Sequence, residues 1–550
     1  MRATSCVPLV LMLWVLASNC RAPEESPGPT AAAREEAYPL GPEMVQLEKD
    51  LATDAYHAEV LGWWNYRDLD GEMNRGDLRD SARRFARSHG GVRAVQEDPA
   101  LRAAYERRLE IDRDFLALMK QAYRGLKKED VFESELERLR REAESEAAGT
   151  ATLPPAKPIV PILPAPGAGS QWPRWRGPGG QGISDEIDLP TEWNAESNVA
   201  WKTAIPGRGN SSPVIWDDAI FLTTAFDDGQ RRSLVRVRRG DGELLWVRDA
   251  PAVPPERKVI DKNSWASPTP VVDGERVVVF LGNTGLVAFS LEGDVIWHYR
   301  MPWFDGSHGT GASPAISRDL VVLFQEHNRG KSIGVAVDKR TGEEKWKLEL
   351  DPALGWCTAL PMRVGERDEL LLGLRNRVVG IDPTSGRELW SCHGLTDEVV
   401  PTLVSGHGLI YACSGRNGPT LAVRPGGDGD VTDTHVAWAV VRGAPHVPSA
   451  VLVDDLIYFS NDNGILTCLE ATSGKTIYQT RLKGKFTASP VAADGKLYFT
   501  NERGETFVVR QGRDPEILAV NPLGETTLAS IAVLDGRLHI RTEHHLWAIE

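Results

Sequence analysis

A single phrase recurs about eight times through residues 171–550. Its first half is a small residue or proline, an apolar strand, a tight turn and a second strand. Ser212–Phe221 (SPVIWDDAIF) and Ser489–Phe499 (SPVAADGKLYF) are two copies. Its second half is a third strand, a glycine turn and an aromatic, as in Val337–Trp346 (VDKRTGEEKW). Four short strands in every 40 to 57 or so residues mark a β-propeller, because a sheet of that size covers both faces only by packing against neighbouring copies.

The aromatic sets the phase. Trp246, Trp297, Trp346, Trp390 and Tyr478 each follow a glycine by four residues: Gly242, Gly293, Gly342, Gly386 and Gly474. Asp338, Asp382 and Glu470 stand eight residues before three of these rings. An acidic residue opening the turn, a Ser or Thr bonding locally and a Gly at the left-handed position suit a hairpin. The ring then lands on the outermost strand, where it covers the seam between blades. The repeat near Pro401 is irregular: Trp438 lacks that glycine, and a Gly/Asp-rich insertion (Pro425–Asp433) interrupts it.

Inner strands begin near Ser212, Ser267, Ser313, Thr358, Pro401, Ser449, Ser489 and Ser530. The chain stops at Leu546–Glu550 (LWAIE), where a third strand would finish. The missing fourth strand stands upstream as Asn198–Ile205 (NVAWKTAI). The predicted fold is an all-β eight-bladed β-propeller with four-stranded blades, closed by that N-terminal strand, beside a separate small α-helical N-terminal region. Closure removes open strand edges, which would otherwise template aggregation. Two four-blade sheets or an open solenoid would instead need a cap.

Trp172–Pro178 (WPRWRGP), Leu189–Trp193 (LPTEW), Val199–Lys202 (VAWK) and Gly209–Pro213 (GNSSP) carry a family likeness. With Asn263–Pro268 (NSWASP) and His308–Pro314 (HGTGASP), they resemble bacterial proteins of the pyrroloquinoline-quinone-like (PQQ-like) propeller superfamily. The resemblance covers roughly residues 171–550. It implies eight blades, as in quinoprotein dehydrogenases and the BamB-like outer-membrane assembly lipoproteins. It leaves the activity open, since fold does not imply function.

The rest of the chain divides by composition. Residues 1–22 read as an export signal: Arg2, the apolar run Val7–Ala17, then small residues and Cys20, a lipidation candidate. Ala17–Cys20 is similar to a bacterial lipoprotein box but departs from it, with Asn19 before the cysteine and Leu16 one place early. The apolar run is too short to span a bilayer. Residues 23–42 form a flexible tether, and residues 43–148 carry apolar residues every three or four positions, as in Met44, Leu47 and Leu51, which predicts an α-helical module. This module is read either as a docking element or as a spacer packing its own core. Residues 149–170 are Pro-rich and predict a semi-stiff linker. A net charge of −14 argues against a nucleic-acid or anionic-membrane partner.

Chemistry-bearing patterns are sparse. The resemblance implies, for a quinoprotein dehydrogenase, a quinone on a Trp floor under a vicinal disulfide, a Ca²⁺ held by Glu, Asn and Asp, and an Asp base. The sequence has no adjacent cysteines and no C-x-x-C-H. Cys357, Cys392, Cys413 and Cys468 are expected as buried free thiols. His544 and His545 would point to opposite faces of a strand, so a solvated loop is the expectation there, and His308, His327, His407 and His446 are scattered. No catalytic residue, no metal and no cofactor are therefore expected, PQQ with Ca²⁺ being the alternative.

Propeller geometry instead offers a face. Loops leaving the outermost strand and loops joining the second and third strands emerge on one side of the ring. The first set carries Arg208, Asn263, Trp265, His308 and Trp356; the second carries Arg329, Arg375, Arg416 and Arg503. Turn chemistry explains the asparagines and glycines of these loops in part but requires none of those arginines. Arg and Trp dominate interface energetics, so a central funnel lined by them is expected to bind a peptide, a glycan or an anionic small molecule. The expected function is a non-catalytic extracytoplasmic binding or scaffold protein of the bacterial envelope. A PQQ-dependent oxidoreductase and an outer-membrane protein assembly factor are the alternatives.

Overall fold

The computed structural model describes residues 153–550, apart from 257–258, 303–307, 327–331 and 416. The predicted leader with Cys20, the region 43–148 predicted to be helical, Arg329 and Arg416 lie outside the described residues.

Eight antiparallel four-stranded blades follow one another around an axis, as the repeat predicted. Blade 1 runs Val214–Trp216, Ala219–Phe226, Arg231–Arg238 and Leu244–Asp249 from the axis outward. Blades 2 to 7 repeat this order, ending with Val491–Ala493, Lys496–Thr500, Glu505–Arg510 and Ile517–Pro522 in blade 7. The inner hairpins are tight where the sequence reads Asp-Gly. Asp494 and Gly495, both at positive φ (52° and 66°), join Ala493 to Lys496 in the type I′ geometry that matches strand twist.

Blade 8 holds Ala532–Leu534, Arg537–Arg541 and His545–Ile549, and its outer strand is Val199–Ala204. Trp201 faces Ala548 and Lys202 faces Trp547 across this closure, with a register shift between Val199 and Trp201. The same shift stands just before the aromatic in other blades, for instance between Glu344 and Trp346, which face Val337 and Ala336. Trp201 is thus the phase-setting aromatic of blade 8, delivered from the other end of the chain.

Each docked indole spans a seam. Trp201 Nε1 donates to Arg239 O at 3.0 Å, Trp297 to Lys339 O at 2.9 Å, Trp346 to Pro383 O at 2.8 Å and Trp438 to Ala471 O at 2.9 Å. Every acceptor lies in or just before the glycine turn of the following blade. That turn needs glycine for two reasons: Gly386 sits at φ +73°, and a Cβ there would lie 2.8 Å from the Trp346 ring. Trp390 departs from the pattern. Blade 5 carries the 425–433 insertion where its glycine turn should be, so the Trp390 indole turns inward and donates to the buried Glu369 Oε2 at 2.7 Å.

The Pro-rich stretch read as a linker instead lies against the propeller from residue 154 onward. Arg424 donates to Pro154 O at 2.8 Å, and Ile159–Pro161 adds a strand inside the innermost strand of blade 4, Leu360–Val364. The alternation of Ile159 and Pro161 is too short to stand out as a strand, yet the open inner edge of blade 4 supplies its partner. His545, expected in a solvated loop, opens a strand, and its Nδ1 is 2.6 Å from Glu525 Oε1. Cys357, Cys392, Cys413 and Cys468 are all buried and free. Among the described residues no helix is long and apolar enough to cross a membrane.

Candidate binding face and axial channel

The inner strands line the axis, and the residues two positions before each of them form a ring of hydroxyls. Backbone N–H groups donate to the next blade's side chain: Ser212 to Thr269, Thr269 to Ser313, Ser313 to Thr358, Thr402 to Ser449, Ser449 to Ser489, Ser489 to Ser530, and Ser530 back to Ser212, all at 2.9–3.0 Å. Between Thr358 and Thr402 the Thr402 hydroxyl reaches Thr358 O at 3.5 Å. The small residue that punctuates each repeat is therefore needed for its hydroxyl. In blades 2 and 5 the ring uses Thr269 and Thr402 instead of the predicted starts Ser267 and Pro401.

One end of the channel is filled by the chain itself. Ile215 N donates to Trp172 O at 2.7 Å, Val272 N to Pro173 O at 2.8 Å, Ser405 N to Gln181 Oε1 at 2.8 Å and Ala492 N to Gly182 O at 2.8 Å. Further along, Gly536 N donates to Glu186 Oε2 at 2.9 Å. All these partners belong to inner strands or to the turns that follow them, so residues 172–186 plug the face opposite the predicted loops. Within the plug, Arg174 (4% exposed) and Arg176 (1% exposed) are buried with carbonyl partners only. Burial lowers their pKa values to about 10 and about 9. Beside Arg174 lies a void of about 10 Å³, the size of one water molecule.

The opposite face carries the predicted loops, and only part of the predicted set converges. Asn263 Nδ2 donates to His308 O at 2.7 Å and Thr310 O at 3.0 Å. The His308 ring meets Trp356 edge-on at 5.8 Å, and Trp356 Nε1 donates to Gly309 O at 3.0 Å. Asn263, His308 and Trp356 thus form one cluster. The other members take different partners: Arg208 donates to Asp261 O, Arg375 Nε to Asp397 Oδ1 at 3.1 Å, and Trp265 packs on Gly229. Arg503 is exposed on a turn that Asn501 Oδ1 pins through the Arg503 N–H at 2.9 Å. Such Asn–backbone bonds show the loop asparagines serving their turns, as the sequence led one to expect.

Two features organise this face. The buried Arg232–Glu256 pair, at 2.5 Å, anchors the long loop between blades 1 and 2. From there Lys262 reaches Glu502 on blade 7 at 2.6 Å. Leu354–Gly355 pairs in parallel with Glu398–Val399, joining the loops that lead into blades 4 and 5. Glu326 is buried against Gly355, and desolvation raises its pKa to about 7 against the pull of Arg377 and Arg375. Nearby, His446 Nε2 lies 3.0 Å from Glu398 Oε2. Sequence reasoning missed Glu326, Arg174, Arg176 and the buried Arg541. Arg174 and Arg176 stood inside the WPRWRGP motif, but nothing local to a motif reports that its arginines will be buried without carboxylates.

Eight hydroxyl-linked blades, a plugged axis and one loop-bearing face define a closed propeller. The chain belongs to the PQQ-like propeller family described as outer membrane protein assembly factor BamB, which matches residues 188–306, 262–436 and 429–522. Among solved structures it is similar to a europium-containing methanol dehydrogenase (10% identity, 69% of this chain and 91% of that one, TM-score 0.52). It is also similar to a quinohemoprotein alcohol dehydrogenase from Comamonas testosteroni (12%, 69% and 80%, TM-score 0.50). BamB from Moraxella catarrhalis matches at 14% identity over 64% of this chain and 99% of that one, with a TM-score of 0.47. These likenesses concern the fold alone. No curated protein matches the sequence.

Proposed function

We propose that this protein is a non-catalytic, exported binding or scaffold protein of the bacterial envelope, whose loop face engages a protein, peptide or glycan partner. The observation that carries this reading is the plug: residues 172–186 occupy one end of the axis, so a partner approaches from the loop side. That side presents Arg375, Arg503 and the Asn263–His308–Trp356 cluster, residue types that anchor interfaces. The leader ending near Cys20 and the family likeness support the envelope location.

The void beside Arg174 is no seat for a quinone. Ligand pockets span about 300–1,000 Å³, whereas the void beside Arg174 holds about 10 Å³. Among the described residues no three His, Cys, Asp or Glu side chains come together to hold an ion such as Ca²⁺. The family description favours, as a second reading, a partner from outer-membrane protein assembly.

The test is site-specific photo-crosslinking in intact envelopes. A crosslinker at Arg375 or Arg503 is expected to capture a discrete partner, and one at Lys496 on the plugged face is not. The paired substitutions Arg375→Ala and Arg416→Ala should reduce capture from the Arg503 position. Capture from Lys496 alone, or capture indifferent to both arginines, would sink the reading.

A further inference from the structure

We infer that the axial channel holds a small monatomic anion of the halide class in the void bounded by Arg174, Ser313, Thr358 and Thr402. The void has room for about one water-sized particle. Its only charged lining group is Arg174, which is 4% exposed and directs Nε and Nη2 to Pro178 O at 3.0 and 2.7 Å. No carboxylate pairs with it among the described residues.

The hydroxyls add donors. Ser313 Oγ accepts from Thr269 N at 2.9 Å, and Thr358 Oγ1 accepts from Ser313 N at 3.0 Å. Beyond the ring bond, each of these two hydroxyls has its O–H to donate. The polar side chains of the void are thus a guanidinium and three hydroxyls, of which Thr402 already donates to Thr358 O, and the remaining lining is Trp175, Gly180, Pro314, Ala315, Ala359 and Leu360. An anion needs no acceptors and neutralises a charge that is otherwise costly to bury. Polyatomic anions such as sulfate exceed the volume.

The inference is independent of the partner-binding role, and its test reads a different quantity. Crystals of the protein soaked in bromide should show an anomalous peak between Arg174 and the Ser313 and Thr358 hydroxyls. In solution, replacing gluconate by chloride at constant ionic strength should raise the thermal midpoint saturably, because a ligand of the folded state stabilises it by mass action. Ser313→Ala with Thr358→Val, which keeps the arginine, should weaken the half-saturating chloride concentration at least tenfold. Arg174→Gln should abolish the response where it folds. A channel without a bromide peak, peaks at surface sites only, or a chloride response identical in the hydroxyl variants would each overturn the inference.

Discussion

Replacing Trp201 by alanine tests the closure of the ring directly. The indole is 9% exposed, packs over Gly242 of blade 1, and donates from Nε1 to Arg239 O at 3.0 Å. Removing a buried aromatic of this size costs about 3–5 kcal/mol. The hydrogen bond is about 1 kcal/mol of that. The expected loss of about 4 kcal/mol is close to a thousandfold in the folding equilibrium. Trp346→Ala supplies the internal standard, since Trp346 makes the equivalent bond to Pro383 O at 2.8 Å over Gly386. Denaturant unfolding should therefore show similar losses for the two variants, although Trp201 joins blade 8 from more than 300 residues away. Amide exchange at His545–Ile549 should accelerate in the Trp201 variant only. A loss below about 1 kcal/mol for Trp201→Ala beside a full loss for Trp346→Ala, with unchanged exchange at 545–549, would refute closure by Val199–Ala204.

Three further outcomes are expected. Gly386→Ala meets both backbone strain at φ +73° and the Trp346 ring, whereas Gly495→Ala, at φ +66° with nothing within 4 Å, meets strain alone; thermal unfolding should place the first well below the second, which should lose about 1–2 kcal/mol. Glu326, with its pKa raised to about 7, keeps its proton in the folded state where the unfolded chain has lost it, so its contribution to stability is present at low pH and lost as pH rises from the unfolded carboxyl value through about 7. Glu326→Gln should flatten that part of the curve and stabilise the protein at pH 8, as read from denaturant midpoints. His539 has the opposite sign. Burial lowers its pKa to about 3, so stability falls as pH drops below the ordinary histidine value, and His539→Leu should remove that fall.

Much of the architecture was legible in the chain because it is periodic. Glycine at a fixed distance before Trp346 or Trp390 reports a turn whose neighbour's indole leaves no room for a Cβ, and both requirements are local to a repeat. Asp-Gly at 494–495 reports a hairpin for the same reason. Even the borrowed strand was visible, since a repeat that ends one strand early must find the fourth elsewhere. The loop face was legible only as a list of residues. That Asn263, His308 and Trp356 touch while Arg375 turns to Asp397 depends on how far each loop leans over the rim, and no spacing encodes it.

Blade count, strand order and the side on which the long loops emerge therefore belong to the sequence by itself, because repeats of strand and turn chemistry specify them one unit at a time. The plug belongs to the tertiary structure alone. Residues 159–186 have no period and little propensity of their own; they are ordered by the inner strands of a ring already closed, whose free N–H and C=O groups accept them. The same holds for the fate of Trp390, which turns inward because the blade beside it lacks the turn it would have covered.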